Sequence, residues 1–430
     1  MTAGEAMHRF AADLYPVCRS ITGDGVRQTL AAIRERIPLE VHEVPTGTPV
    51  FDWTVPREWN IRDAWIKDPS GRKVVDFREH NLHVLNYSVP VHEKLPLEEL
   101  RKHLFTLPDQ PDLIPYRTSY YREAWGFCLR HRTLESLPEG EYEALIDSTL
   151  ADGSLSYGEC FLPGESEREV LFSTHVCHPS LCNDNLSGIA VMTWLAAELR
   201  ARPRRRFSYR FLFIPGTIGS IAWLARNEEA AGRIAGGLVA ANLGDSGPFH
   251  YKKSRRGDAG IDRAAMAVLR SRGEQQGIEE FVPFGYDERQ FNSPGFNLAV
   301  GSLTRTPYGR YPEYHTSADN LGFVRPEPLE ESLRTYLAVV DVLEGDRRYL
   351  NLNPRCEPQL GRRGLYRSIG GDDAGRSREL ALLWVLNLSD GRHALLDVAE
   401  RSGMSFAAVR EAADALLAAG LLRELEEEGS

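Results

Sequence analysis

The sequence predicts an α/β fold: a mixed sheet with helices on both faces, interrupted by a β-rich insertion and followed by a winged helix-turn-helix. Three observations predict it. Strand-sized apolar runs alternate with helical periodicities from about residue 141 to 345. Tryptophans, tyrosines and prolines crowd residues 51–130. Two short amphipathic stretches joined by a tight turn lie near the chain's end. A chain of 430 residues exceeds one ordinary core. The expected domains are 1–48 with 131–350, an insertion over 49–130, and a winged-helix-like unit over 355–430.

In chain order, residues 5–36 read as helix broken at Thr22-Gly23-Asp24-Gly25, followed by an alternating strand over 39–45. The insertion shows short β-like runs over 64–77 and 80–92, a turn at Pro69-Ser70-Gly71 and a short helix over 96–104. The proline-rich stretch 106–116 reads as an ordered loop that returns the chain to the main domain. Next come strands at YEALIDSTL, SYGECFL, EVLFSTHV, YRFLFIPG, GLVAANLGD and NLAVGSL. Helices are expected over 188–200, 220–227, 258–270 and 330–344. The third unit reads as helix from 378, loop SDGRH, helix, turn, helix over 406–420 and a wing-like LLREL, with EEEGS a frayed tail.

The net charge of -10 disfavours nucleic acid or an anionic membrane as partner. No apolar stretch approaches the roughly 20 residues of a spanning helix, and residues 1–15 do not resemble a secretory signal. Six scattered cysteines without a CxxC pair suit a reducing cytoplasm. Over residues 377–430, five arginines face ten acids, and the presumptive recognition helix carries Arg410 against Glu411 and Asp414. Phosphate neutralisation dominates DNA affinity, so packing or protein docking, including a homo-oligomer, is the expected role of this unit.

Chemistry concentrates in VLFSTHVCHPSLCNDNLSG. A buried-looking strand delivers His175 at its end, and Asp184 follows nine residues on, at the opening of a helix. Imidazole and carboxylate suit Zn²⁺, and a carboxylate can bridge two ions. Two further strand-end loops carry Asp245 and His315. Sites in such sheets lie beyond the carboxyl ends of strands.

These pieces, with Tyr-His-Thr-Ser-x-Asp-Asn at 314–320, resemble the metal-site motifs of the bacterial leucyl-aminopeptidase-like zinc exopeptidases. The likeness extends over nearly the whole chain to a branch with an inserted domain and a C-terminal winged helix. It implies a phosphorylase/hydrolase-like, zinc-aminopeptidase-like core. It also implies one or two zinc ions, with His175 and Asp245 on one, His315 on the other and Asp184 between them. The implied substrate is a peptide or an aminoacyl amide.

Two positions depart from the pattern. Cys177 stands where the exopeptidases carry an aspartate that orients the first histidine. Gly216, in Pro-Gly-Thr-Ile-Gly-Ser, stands where a catalytic glutamate is expected, and loss of a general base costs about 10²–10⁴ in rate. Three readings follow: an artificially inactivated form of an active enzyme, a relative that binds without hydrolysing, or recruitment of another acid such as Glu288 or Glu313. A DNA-binding regulator built on a dead enzyme is a fourth. Blander readings stand beside these. Asp184 and Asp245 suit helix caps. His178, before a proline, reads as a loop cap, and Cys177 and Cys182 as small buried residues. Asp287, Glu288 and Arg289 read equally as an ion-pair network.

Overall fold

The computed structural model describes all residues except 274, 367–372 and 426–430, so the tail read as frayed lies outside the described residues. The chain divides into two compact units: Met1–Ala259 with Gly277–Arg334, and Gly260–Gln276 with Thr335–Ser430.

The first unit opens with α1 (Ala3–Leu14) and α2 (Asp24–Arg34). Thr2 and Glu5 form a capping box at the start of α1, and the helix buries Met7, Phe10, Ala11 and Leu14. The break between the helices is longer than the four-residue turn expected. Pro16 ends α1, because a proline cannot donate into the helix ladder, and Gly23 takes φ +98° before α2.

The main sheet contains β1 (Glu40–Pro45), β2 (Ser154–Leu162), β3 (Glu169–His175), β4 (Ser208–Ile214), β5 (Ile234–Ala240), β6 (His250–Lys252), β7 (Gly277–Glu279) and β8 (Val300–Thr304). Its order is β1-β2-β4-β3-β5-β8-β6-β7. The central strands β4, β3, β5 and β8 run parallel, while β1, β2 and the β8–β6 pair are antiparallel. The sheet is therefore mixed, as expected. Every residue of β3 and β4 is buried, and each carries a short apolar run (Val170–Phe172 and Phe211–Ile214) in place of strict alternation. Helices α3 (Gly188–Ala201) and α4 (Ile218–Arg226) follow β3 and β4.

A second, antiparallel sheet orders Lys73–Asp76, Glu58–Lys67, Glu141–Ala151 and Val91–Pro96. The strand Glu141–Ala151 belongs here and not to the main sheet with which it was grouped. Its burial alternates over most of its length, the signature of an antiparallel strand with one wet face.

In the second unit, strands Arg348–Asn351, Asp390–Ala394 and Leu422–Glu424 form a three-stranded sheet beside helices Asp373–Leu388, Leu395–Ser402 and Phe406–Ala418. Gly403, at φ +70°, closes one helix, and the Ser405 hydroxyl caps the next, which makes the expected tight turn. SDGRH, read as a loop, contributes a strand because Arg348 and Leu350 pair with Ala394 and Asp390. The helix Gly260–Ser271 packs in this unit, where Arg263 Nη2 donates to Asp397 (2.7 Å) and Glu400 (2.8 Å). Among the described residues, no helix is long and apolar enough to cross a membrane.

Candidate metal centre

The carboxyl ends of β3, β4 and β5 meet at one place. β3 ends on His175, which pairs in register with Ile214 of β4, two residues before Gly216. The chain then turns through 182–187, buried at every position, before entering α3. Asn185 fixes this turn to the strand, its Nδ2 donating to Thr174 Oγ1 (2.7 Å) and to the His175 carbonyl (3.0 Å). The Asp319 carboxylate holds the turn's backbone by accepting from the N–H groups of Cys182 (3.1 Å), Asn183 (2.5 Å) and Asp184 (2.9 Å). Burial pushes the Asp319 pKa up to about 7 against the pull of those N–H groups.

Asp184, fully buried, is the hub. Its Oδ1 lies 2.8 Å from His175 Nε2, and its Oδ2 lies 3.0 Å from His315 Nε2 and 3.2 Å from His178 Nδ1. Candidate ligand atoms of His175, His178 and Asp184 lie within 4.8 Å of one another. Burial would raise the Asp184 pKa, but His178 and His175 hold it well below the carboxylate range. Burial lowers the pKa of His175 and of His315 despite Asp184 beside them. For His178, burial opposes the charge, yet Asp184 and Cys177 push the pKa well above the ordinary imidazole value. Two neutral imidazoles, a third within reach and an ionised carboxylate fit a zinc-type ion.

Residues 106–116 supply the wall. Within 106–116, Pro115 bridges to Thr316, Tyr116 N donates to the His315 carbonyl (2.7 Å), and Ile114 N donates to Ser317 Oγ (3.0 Å). The Tyr116 ring lies edge-on to both His178 and His315, with centroids 5.0 Å away. Tyr314 stacks on His315 at 3.9 Å and Tyr286 on His175 at 4.8 Å, and the Tyr286 hydroxyl donates to Asp184 Oδ1. Arg19, buried beneath, donates Nε to the His178 carbonyl (2.8 Å).

The structure sorts the residues singled out by sequence. His175, Asp184 and His315 converge. His178, set aside as a loop cap, joins them. The Asp245 carboxylate is taken up by Thr306 Oγ1 (2.6 Å), Gly247 N (2.7 Å), Asn183 Nδ2 (3.0 Å) and Thr306 N (3.3 Å). Through Asn183, Asp245 braces the turn that carries Asp184, while Thr306 and Gly247 fix its carboxylate from outside that turn. Glu288 forms a close ion pair with Lys252. The Glu313 carbonyl accepts from Thr316 N and Oγ1 (3.1 and 2.8 Å). It is Asp287 that borders Gly216: a Cβ built there would stand 3.4 Å from Asp287 Oδ2 and 3.3 Å from His175 Cβ. Burial pushes the Asp287 pKa up to about 7, although Ser220 donates to its Oδ1 (2.7 Å). Asp319 and Asn242 were missed, although Asp319 stood inside the quoted Tyr-His-Thr-Ser-x-Asp-Asn motif. Asn242 lies two residues beyond β5 at φ +52° and donates to the Tyr286 hydroxyl.

A family model described as "Domain of unknown function (DUF4910)" matches residues 8–346, and one described as "winged helix-turn-helix" matches 347–424. A Clostridium acetobutylicum protein is 53% identical over 422 residues, covering 98% of this chain and 96% of its own. It is named as a candidate polysaccharide biosynthesis protein with an aminopeptidase-like domain. A crystal structure of a candidate peptidase from the same organism superposes with TM-score 0.93 at 51% identity, covering 98% of this chain and 96% of that one. BSAP, a zinc aminopeptidase from Bacillus subtilis, shares the fold at TM-score 0.57 and 11% identity, covering 78% of this chain and 94% of its own.

Proposed function

The chain belongs to the family described as "Domain of unknown function (DUF4910)", and on that premise we propose that it is a metal-dependent, aminopeptidase-like hydrolase of a peptide or amide bond. The observation that carries this reading is the convergence of His175, His178 and His315 on the ionised Asp184 at the carboxyl ends of the central strands. His175, His315 and Asp184 would hold the ion, with His178 joining them on release of its proton and Asp245 bracing their turn. A zinc-type ion bound there supplies Lewis-acid polarisation of a carbonyl and a more acidic water. Tyr286 and Tyr314 stack on His175 and His315 and limit ring rotation, and Tyr116 packs edge-on against His178 and His315. The name of the Clostridium relative makes amides on amino sugars a substrate class to be assayed beside aminoacyl amides.

A second reading, recognition without hydrolysis, is favoured by Gly216, which offers no carboxyl where the exopeptidases carry one. Hydrolysis of an aminoacyl- and glycosyl-amide panel by the zinc-loaded chain and by Gly216→Glu separates the two. Turnover in either supports the hydrolase. No turnover in both, with retained zinc binding, supports recognition alone.

The winged helix serves protein docking in this account. Arg410 pairs with Asp414 (3.3 Å), and Arg378 lies 3.8 Å from Glu411, so cations on this face are already matched by acids.

A further inference from the structure

A histidine that binds a metal through one ring nitrogen is normally held in tautomer and orientation by a partner on the other. Here His175 Nε2 faces Asp184, and its Nδ1 is buried with no hydrogen-bond partner. Cys177, two residues on, does not supply one, because its thiol donates to the Gly216 carbonyl (3.8 Å). Two other orphans stand nearby: Asn185 Oδ1, which faces Gly188, and Asp287 Oδ2, buried and unpartnered beside Gly216 while Ser220 fixes its sister oxygen. Asp287 Oδ2 and the Cβ of His175 border the same methyl-sized position, the one a side chain on residue 216 would occupy, at 3.4 and 3.3 Å. The neighbouring Tyr286 ring lies along the His175 imidazole, with planes 23° apart, which runs the 286–287 segment beside that histidine. Two unpartnered buried polar groups, on two side chains that border one small gap, call for a shared hydrogen bond, direct or through one water.

We propose that Asp287 is the positioning residue for His175, its Oδ2 accepting the Nδ1–H across the space that Gly216 leaves open. The inference rests on the metal-binding reading above. It joins the two departures of the sequence: the aspartate absent at 177 is replaced from a distant segment, and a glycine at 216 makes the room.

The test uses the full chain stripped of metal. Zinc titration calorimetry gives the Kd, thermal unfolding without metal gives the Tm, and the downfield proton spectrum of the zinc-reloaded chain, in which Nε2 is taken by the ion, reports the His175 Nδ1–H, assigned by its absence in His175→Asn. Asp287→Asn is expected to weaken zinc binding about 10–100-fold, to shift that resonance and to leave the metal-free Tm unchanged or higher. Gly216→Ala, which fills the gap, is expected to weaken zinc in the same direction, and serves if Asp287→Asn does not fold. Unchanged zinc affinity in both variants, or a loss matched by a lower metal-free Tm, overturns the assignment. An unsubstituted chain that takes up no zinc overturns the metal reading itself, and the assignment with it.

Discussion

Tyr116 donates its backbone N–H to the carbonyl of His315 over 2.7 Å, although the two residues lie in different sequence regions. The segment 106–116 therefore does more than connect strands: it holds one of the four candidate ligands. Tyr116→Ala removes a buried ring from both His178 and His315 and is expected to cost about 3–5 kcal/mol. Tyr116→Phe loses only the hydroxyl contact to Tyr120 (2.9 Å) and is expected to cost under about 1.5 kcal/mol. Urea unfolding of the two variants checks the contrast.

Asp319 carries three backbone N–H groups of the Asp184 turn. Asp319→Ala leaves the Asn183 and Asp184 N–H groups buried and unmet, while that of Cys182 keeps the residue-319 carbonyl (3.0 Å), an expected loss of about 3–5 kcal/mol. Asp319→Asn keeps one acceptor oxygen and is expected to lose less. Denaturant midpoints at constant slope measure both.

His80 gives a pH signature. Its Nδ1 accepts the Leu82 N–H (3.1 Å), and burial lowers its pKa to about 4 from an ordinary 6.5. Between those values the unfolded chain binds a proton that the folded chain refuses. The contribution of His80 to stability is therefore full above about pH 6.5 and is lost as pH falls through about 4. His80→Asn keeps an acceptor but does not titrate, so its stability curve should be flatter over that window. A wild-type curve no steeper than that of the variant contradicts this.

The winged helix should not bind DNA with strong salt dependence. A gel shift at physiological salt is expected to show no complex tighter than about 10⁻⁶ M, the range of non-specific binding. A tight, salt-sensitive shift would reverse that expectation.

Much of this architecture is legible in the sequence because burial writes a pattern. The fully buried β3 and β4 carry short apolar runs, and His175, three residues beyond Phe172 at the end of β3, stands out. Membership of a sheet is not written that way: Glu141–Ala151 shows that it is a strand but not which strand it pairs with. Asp390–Ala394 is polar and begins with Asp-Gly, so only its pairing with Arg348–Leu350 reveals a strand. In the site, local motif sufficed for His175, Asp184 and His315. His178 was masked by the following proline. The surroundings of Asp245, Asp287 and Asp319 depend on donors and gaps 60 or more residues away, such as Thr306, Gly216 and the 182–184 backbone, for which no local pattern exists.

The most direct test is the metal-to-protein ratio of the gently purified full chain, beside that of Asp184→Asn. Three imidazoles around one carboxylate predict about one zinc-type ion per chain, lost in the variant. A ratio below about 0.2 that does not rise on incubation with zinc, or an equal ratio in Asp184→Asn, would contradict the account.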